Sequence, residues 1–456
     1  MIKKVLIANR GEIALRIMKA CRSLDIKTVA VYSDADREAD FVYYADESYL
    51  IGTPPVNQSY LDMDKIIEVA KKAHVDAIHP GYGFLSENSL FTKLCDANDI
   101  IFIGPSAELI EKMGDKVSSR KLMENVGVPI IPGSKDAILN VDDLLKEAEN
   151  VGFPLMLKAS AGGGGIGMQI VHKKEELEEA FTNNSVRAEQ FFGDGSMFIE
   201  KLLVNARHIE VQLLGDHFGN VIHLYERECS IQRRNQKVIE EAPSTFISEK
   251  TRDLMGKTAV KAAEKIGYTN AGTIEFLVDE DENFYFLEMN TRVQVEHGIT
   301  EEVTHIDIVK EQIKIANKQT LTINQSDIQL KGHAIEARIY AEDPITSFPS
   351  PGDITHYSEP VGDHIRIESA ISKPAKITHF YDPMISKLIV TGKDRTEAIK
   401  LLQTALADYK ITGIKTNIPM LQAIAQDEEF IKGKTTTNFI ESNKTKLHKF
   451  IQEELK

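Results

Sequence analysis

Glu275 and Glu288 lie in two aromatic-rich apolar runs, near 273–279 and 284–290, joined by the acidic turn Glu280-Asp-Glu-Asn283. Read as a hairpin with a turn of residues 280–283, these runs place Glu275 directly across from Glu288. Strict alternation puts Phe284, Phe286, Glu288, Asn290 and Arg292 on one face of the second strand. Facing carboxylates repel, so a cation belongs between them. With the neutral oxygen of Asn290 alongside, the set suits Mg²⁺. An ordinary solvated strand face carries charges at the same spacing.

The strand pattern continues through Asn290-Thr-Arg-Val-Gln-Val-Glu-His297, so that Arg292, Gln294 and Glu296 share one side and Val293 and Val295 the other. A guanidinium, an amide and a carboxylate converging there suit a small oxyanion such as bicarbonate, bound bidentately by Arg292 and deprotonated by Glu296. A ladder of surface ion pairs reads the same way and is worth little.

Upstream, Lys158-Ala-Ser-Ala is followed by Gly162 to Gly165 and then Ile166-Gly167-Met168. Successive glycines let backbone N–H groups wrap a phosphate, with Lys158 as point charge. A flexible linker is equally compatible with those glycines. A strand-like Gln169-Ile-Val follows, so this is not the phosphate loop that opens a helix. The charge-dense run Glu226 to Glu241 reads as a solvated face, with Cys229 a small hydrophobe. His79-Pro-Gly-Tyr-Gly-Phe-Leu-Ser-Glu87 is turn-rich and follows a strand, at the sheet end where ligands gather, and a plain loop fits it equally.

The elements that must carry these groups show in the periodicity. Strand runs at Val5–Ala8, Thr28–Tyr32, Asp76–His79 and Ile100–Ile103 alternate with helical patterns at Glu12–Leu24, near 62–72 and near 87–97. That alternation predicts a doubly wound, mostly parallel α/β domain. The turn after the first strand reads Asn9-Arg10-Gly11-Glu12 and lacks the dinucleotide fingerprint, so a dehydrogenase is not supported. A third segment opens near 331, and the Lys/Glu-rich tail from 443 reads as a surface helix.

With 456 residues the chain makes about three domains. The 54 basic against 69 acidic residues leave a net charge of −15, which argues against a nucleic-acid partner. Scattered Cys21, Cys95 and Cys229 form neither disulfide framework nor metal spacing, and no apolar window approaches the length of a membrane span. A cytoplasmic protein is expected.

Taken together, Ile7-Ala-Asn-Arg-Gly-Glu-Ile13, His79 to Leu85, Met113-Gly-Asp-Lys116, the Lys158 loop, Glu226 to Pro243, Glu288 to His297 and Gly332-His-Ala-Ile-Glu-Ala-Arg338 resemble the biotin carboxylases, a family of ATP-grasp enzymes. The resemblance implies an N-terminal doubly wound α/β domain (1–114), an ATP-grasp domain (115–330) with a mobile lid near 131–203, a C-terminal mixed α/β domain (331–446) and a tail (447–456). By that resemblance Lys116, Lys158, Gly164, Gly165, Glu200, Lys201, Leu203, His208 and Gln232 line an ATP site, together with Glu275 and Glu288. Glu275, Glu288 and Asn290 hold Mg²⁺ or Mn²⁺. Lys237, Arg292, Gln294 and Val295 bind bicarbonate, Glu296 is its base, Arg338 stabilises the biotin enolate, and Tyr82 borders the substrate.

The implied reaction is the first half of an acetyl-CoA (acyl-CoA) carboxylase, through carboxyphosphate. A biotin carboxyl carrier protein and carboxyltransferase subunits are the implied partners, and a homodimer the implied assembly. No biotin-attachment Met-Lys-Met segment is present, so a free-standing subunit is expected. The alternatives are another bicarbonate-using ATP-grasp ligase and a non-catalytic nucleotide-binding regulator. Three positions depart from the family pattern: Asn235 for His, Ile166 for Arg or Lys, and Gly298 for Pro, the last expected to loosen its turn.

Overall fold

The computed structural model describes residues 1–134, 136–161 and 167–454. Near the N-terminus, Lys4–Ile7 (β1), Lys27–Ser33 (β2), Glu47–Gly52 (β3), Ala77–His79 (β4) and Ile101–Phe102 (β5) form a parallel sheet in the order β3-β2-β1-β4-β5. Both faces are covered, as the alternation predicts. Val5 and Ile7 pack with the helix Gly11–Ser23, whereas Leu6 and Ala8 pack with the helices Met63–Lys72 and Ser89–Asp96. Each fully buried aliphatic side chain here contributes about 1.5–3 kcal/mol. Strand β3 has no counterpart in the periodicity, because its half-exposed residues carry no apolar alternation.

Next comes a small antiparallel sheet of Leu155–Ala159 (β6), Met168–Val171 (β7) and Met197–Lys201 (β8), in the order β7-β6-β8, backed by the helices Val141–Val151 and Leu177–Phe192. The strand expected after the glycine loop is therefore present, whereas Gly162–Ile166, including Gly164 and Gly165, lie outside the described residues.

The body is one antiparallel sheet. Its strands are Arg207–Gly215 (β9), Val221–Arg233 (β10), Gln236–Ala242 (β11), Asn270–Val278 (β12), Phe284–Asn290 (β13) and His333–Tyr340 (β14). After two short strands, Gly352–Asp353 (β15) and His356–Ser358 (β16), follow Ile365–Ser369 (β17), Lys376–Ile377 (β18), Met384–Gly392 (β19) and Lys410–Thr412 (β20). The eight-stranded order is β13-β12-β9-β10-β11-β14-β19-β17, so the sheet runs without a break from residues before 330 to residues after it. The tail helix Lys444–Glu454 is not merely superficial, since Leu447 and Ile451 are buried in the C-terminal core.

Within the β12–β13 hairpin the turn is residues 279–283, with Asp279 N–H donating to Asn283 O and the Asp279 carboxylate accepting from two turn amides. Phe276 pairs with Phe286, but Glu275 pairs with Glu288, so Leu287 is an extra residue. This bulge corrects the strict alternation: Phe284, Phe286 and Met289 enter the core, while Leu287, Glu288 and Asn290 turn toward the opposite side. Residues 291–296 are loop rather than strand.

Candidate functional site

A cavity of about 1150 Å³ opens where the C-terminal end of the parallel sheet, the small β6–β8 sheet and the large sheet meet. Its floor comes from neighbouring strands in register. Glu210 on β9 pairs with Glu275 on β12, and Glu275 pairs with Glu288 on β13, so three carboxylates stand side by side. Acids at strand spacing, Glu210 and Glu275 buried and Glu288 exposed along the cavity, are stable as carboxylates only with cations among them.

Lys237 on β11 is the first such cation. Its Nζ donates to Glu210 Oε2 at 2.6 Å, Glu275 Oε1 at 2.9 Å and Glu296 Oε1 at 2.7 Å. Burial opposes the lysine's charge, but the three carboxylates hold it well above the usual lysine range. Beneath it the fully buried Arg227 donates to Glu210 Oε1 at 2.5 Å and to Gln212 Oε1 at 2.8 Å. The run Glu226 to Glu241 is therefore not a solvated face: Glu226, Arg227, Glu228, Glu240 and Glu241 are buried, each carboxylate meeting a cation or hydroxyl. Cys229 is buried among them, as expected of a small hydrophobe.

Glu296 is gripped from two sides. Arg338 Nη2 donates to its Oε2 at 3.0 Å, and Lys237 to its Oε1. Burial pushes the Glu296 carboxyl up, but Lys237, Arg338 and Arg227 outweigh it and hold the group below the usual carboxylate range. Arg338 Nε donates in turn to Glu240 Oε1 at 2.6 Å.

Arg292 lines the cavity and is held at three corners. It donates to Glu87 Oε2 at 2.9 Å, Gln294 Oε1 at 2.8 Å and Asn290 Oδ1 at 2.8 Å. Gln294 and Asn290 then donate to Glu275 Oε1 at 2.8 and 2.9 Å. Arg292, Gln294 and Glu296 thus converge as expected, although a loop rather than a strand brings them together. Val295 also lines the cavity, on the same wall and not the opposite one, and Val293 alone of the two valines enters the core.

The remaining expected residues divide. Gln232 Nε2 contacts His208 Nδ1 at 2.8 Å, and His208 Nε2 lies 2.8 Å from Glu275 Oε2, which links both to the acid row. Lys116 reaches the cavity from the start of the helix Lys116–Val126, whose N-terminus is capped by Asp115. Burial lowers the Lys116 ammonium, against the pull of Glu288. Lys158 and Glu200 are ion-paired to one another, with Arg120 on the other carboxylate oxygen. Lys201 and Leu203 line the same wall, although the Lys201 ammonium donates to Phe153 O at 3.1 Å. Tyr82 borders the cavity, its hydroxyl donating to Glu12.

Asn235 has a local reason. It and Arg234 form the two-residue β10–β11 turn at φ 63° and 51°, a left-handed pair that favours Asn. Gly298 falls inside the helix His297–Thr304 rather than in a loosened turn, and a Cβ there would meet Ile389 Cδ1 at 2.5 Å.

Sequence reasoning missed Glu87, Arg120, Glu210, Arg227 and Glu240. Alternation along β9 places Glu210 beside His208 and was the available signal for it. No signal links Glu87 to Arg292 across 205 positions.

A divalent cation fits the acid row. Glu275 and Glu288 supply hard oxygens from opposed strands, and His208, Glu210 and Glu275 bring ligand atoms within 4.8 Å of one another, while Asn290 turns its Nδ2 to Glu275 and its Oδ1 to Arg292 and would offer that oxygen only after its amide rotates. Desolvation against the cavity wall and the facing Glu275 charge raise the Glu288 carboxyl, against the pull of Lys116, His208 and Lys237.

Three family descriptions match in succession: the biotin carboxylase N-terminal domain over residues 1–110, the ATP-binding domain of the carbamoyl-phosphate synthase L chain over 115–324, and the biotin carboxylase C-terminal domain over 336–442. Biotin carboxylase 2 of Bacillus subtilis is 57% identical, covering 97% of this chain and 100% of that protein. The crystal structure of the biotin carboxylase–β-γ-ATP complex from Campylobacter jejuni matches with a TM-score of 0.95 at 47% identity, covering 97% of this chain and 99% of that one. So does the biotin carboxylase domain dimer of the Hydrogenobacter thermophilus 2-oxoglutarate carboxylase, in complex with MgADP, ADP and bicarbonate, with a TM-score of 0.95 at 48% identity, covering 98% and 99%. End-to-end identity at this level, on a cavity that pairs an acid row with an anion-sized cluster of Lys237, Arg292 and Arg338, places the chain in the biotin carboxylase family of ATP-grasp enzymes.

Proposed function

We propose that this chain uses MgATP and bicarbonate to carboxylate biotin on a separate carrier protein, as the first half-reaction of an acyl-CoA carboxylase, acetyl-CoA foremost. One observation carries the reading: Lys237 ties Glu275 of the acid row to Glu296 of the anion loop, which sets a metal–phosphate seat against a carbonate-sized seat. Glu275, Glu288 and Asn290 would hold Mg²⁺ or Mn²⁺, which when bound neutralises phosphate charge. Lys116 and Lys158 flank the same space for the nucleotide phosphates. Arg292 and Gln294 grip bicarbonate, and Glu296 takes its proton as the bicarbonate oxygen attacks the γ-phosphate. Arg338 stands 3.0 Å from Glu296 and is placed to stabilise the biotin anion that accepts CO₂. The β6–β8 sheet, as a lid, would keep water from carboxyphosphate.

The same proposal includes a homodimer, carboxyltransferase partners, a cytoplasmic setting and a division at 114 and 330, with the helix Lys444–Glu454 part of the C-terminal unit instead of a separate tail from 447. Among the described residues no helix is long and apolar enough to cross a membrane. The test is ADP release with MgATP and bicarbonate, with and without free biotin. Stimulation by biotin supports the proposal. Bicarbonate-dependent turnover indifferent to biotin indicates another ATP-grasp ligase, and no turnover indicates a nucleotide-binding regulator.

A further inference from the structure

The loop 291–296 lacks a strand ladder, yet it must hold Arg292, Gln294 and Glu296 in one geometry. Two of its successive carbonyls are instead held by buried side chains. His297 Nδ1 donates to Gln294 O at 2.8 Å, and Lys387 Nζ donates to Val295 O at 2.7 Å. Lys387 is fully buried, in the middle of β19. A buried ammonium persists only when paired, and this one is paired twice: Glu368 Oε2 lies at 2.7 Å and Glu12 Oε2 at 3.4 Å.

Those partners come from separate parts of the fold. Glu368 sits directly across from Lys387 in the β17–β19 register, Arg338 sits directly across on the β14 side, and Glu12 belongs to the helix Gly11–Ser23 of the N-terminal domain. Glu12 also accepts from Tyr82 at the cavity wall. Glu368 is braced by Arg16 and Arg366 as well, which keep its charge fixed. Lys387 does not itself line the cavity, although Glu12 and Val295, which it contacts, do. It donates to the anion-binding loop at the Val295 carbonyl, between Gln294 and Glu296.

We propose that Lys387 is a positioning residue: its ammonium, clamped between Glu368 and Glu12, pins the Val295 carbonyl and so fixes Gln294 and Glu296 for the anion. The inference rests on the bicarbonate reading of that loop. Without the ammonium the two peptide planes around Val295 turn, and a displacement of about 1 Å at reacting groups costs on the order of 100-fold in rate.

The test compares wild type, Lys387→Met and the double variant Lys387→Met/Glu368→Gln, which also removes one of the two carboxylates that the ammonium paired. Readouts are thermal melting, binding of a fluorescent ATP analogue, and bicarbonate and ATP dependence of biotin-stimulated ADP release. The expected result is a fall of at least tenfold in kcat/KM for bicarbonate, with analogue affinity and the KM for ATP within about threefold of wild type. Should the single variant fail to fold, the double variant decides by the same criterion. Unchanged bicarbonate kinetics in a folded variant, a parallel loss of nucleotide affinity, or unfolding of both variants overturns the proposal. A wild type without bicarbonate-dependent ADP release overturns the functional reading instead.

Discussion

Removing Glu87 isolates the anchoring of Arg292 from the chemistry of the site. Glu87 accepts from Thr291 N at 3.0 Å, Thr291 Oγ1 at 3.3 Å and Arg292 Nε at 2.9 Å, all in the loop and not in the acid row. Its side chain is 39% exposed, so water replaces much of what Glu87→Ala removes, and the lost ion pair is worth about 1 kcal/mol. Re-ordering a freed arginine whenever an anion binds adds about 0.5–1 kcal/mol. The sum, about 1–2 kcal/mol, is about 5–30-fold in apparent bicarbonate affinity. Glu87→Gln keeps the shape and one acceptor oxygen and loses about half of that free energy. The assay is a bicarbonate titration of biotin-stimulated ADP release at saturating ATP, paired with an ATP titration at saturating bicarbonate. The KM for bicarbonate rises by that factor in Glu87→Ala, while the KM for ATP stays within about twofold. Equal rises in both constants, or none, would refute the anchoring argument.

Further outcomes follow from the same geometry. Glu296→Gln, with the shape kept and the base removed, lowers kcat by about 10²–10⁴ while a fluorescent nucleotide analogue binds with unchanged affinity. Arg338→Ala likewise removes biotin stimulation while analogue binding persists, and loss of nucleotide binding in either variant contradicts the division of roles. Glu241 accepts from His333 Nε2 at 2.7 Å and Arg395 Nε at 2.6 Å. Burial raises its carboxyl, but those partners outweigh it and bring it to about 2. Against about 4.3 in an unfolded chain, that is about 3 kcal/mol of stability at neutral pH, present above about pH 4.5 and lost as pH falls toward 2. The gap between acid melts of wild type and Glu241→Gln should therefore narrow below about pH 4.5 and close near about pH 2, and a constant gap between them would contradict the assignment. Ile451→Ala in the tail helix costs about 2–4 kcal/mol in chemical denaturation, whereas a superficial tail would cost nothing measurable.

The parallel domain was legible because its strands are buried on both faces and read as continuous apolar runs, as in Val5 to Ala8. The Glu275–Glu288 opposition was legible too, but by a compensation: a turn one residue longer than expected is offset by the bulge at Leu287. Alternation cannot reveal such a bulge, which is why Phe284 and Phe286 read as companions of Glu288 when they belong to the core. Charge density misled at Glu226 to Glu241, since a polar run is solvated only when no opposing strand neutralises it. Here Arg252, Arg338 and Arg395 neutralise Glu226, Glu240 and Glu241 from the helix Glu249–Lys265, β14 and the helix Arg395–Asp408, while Glu210 of β9 neutralises the run's own Arg227 and Lys237. The partners that orient the site, Glu87 for Arg292 and Lys387 for Val295, meet it across 205 and 92 positions, where local pattern holds no information.

The central claim is that anion and nucleotide seats, joined through Lys237, carboxylate biotin. Incubation with ¹⁴C-bicarbonate, MgATP and a biotinylated carrier tests it directly. The account predicts acid-labile label on the biotin, dependent on ATP and Mg²⁺ and absent in Glu296→Gln. ADP formation at full rate with no label on biotin would contradict it.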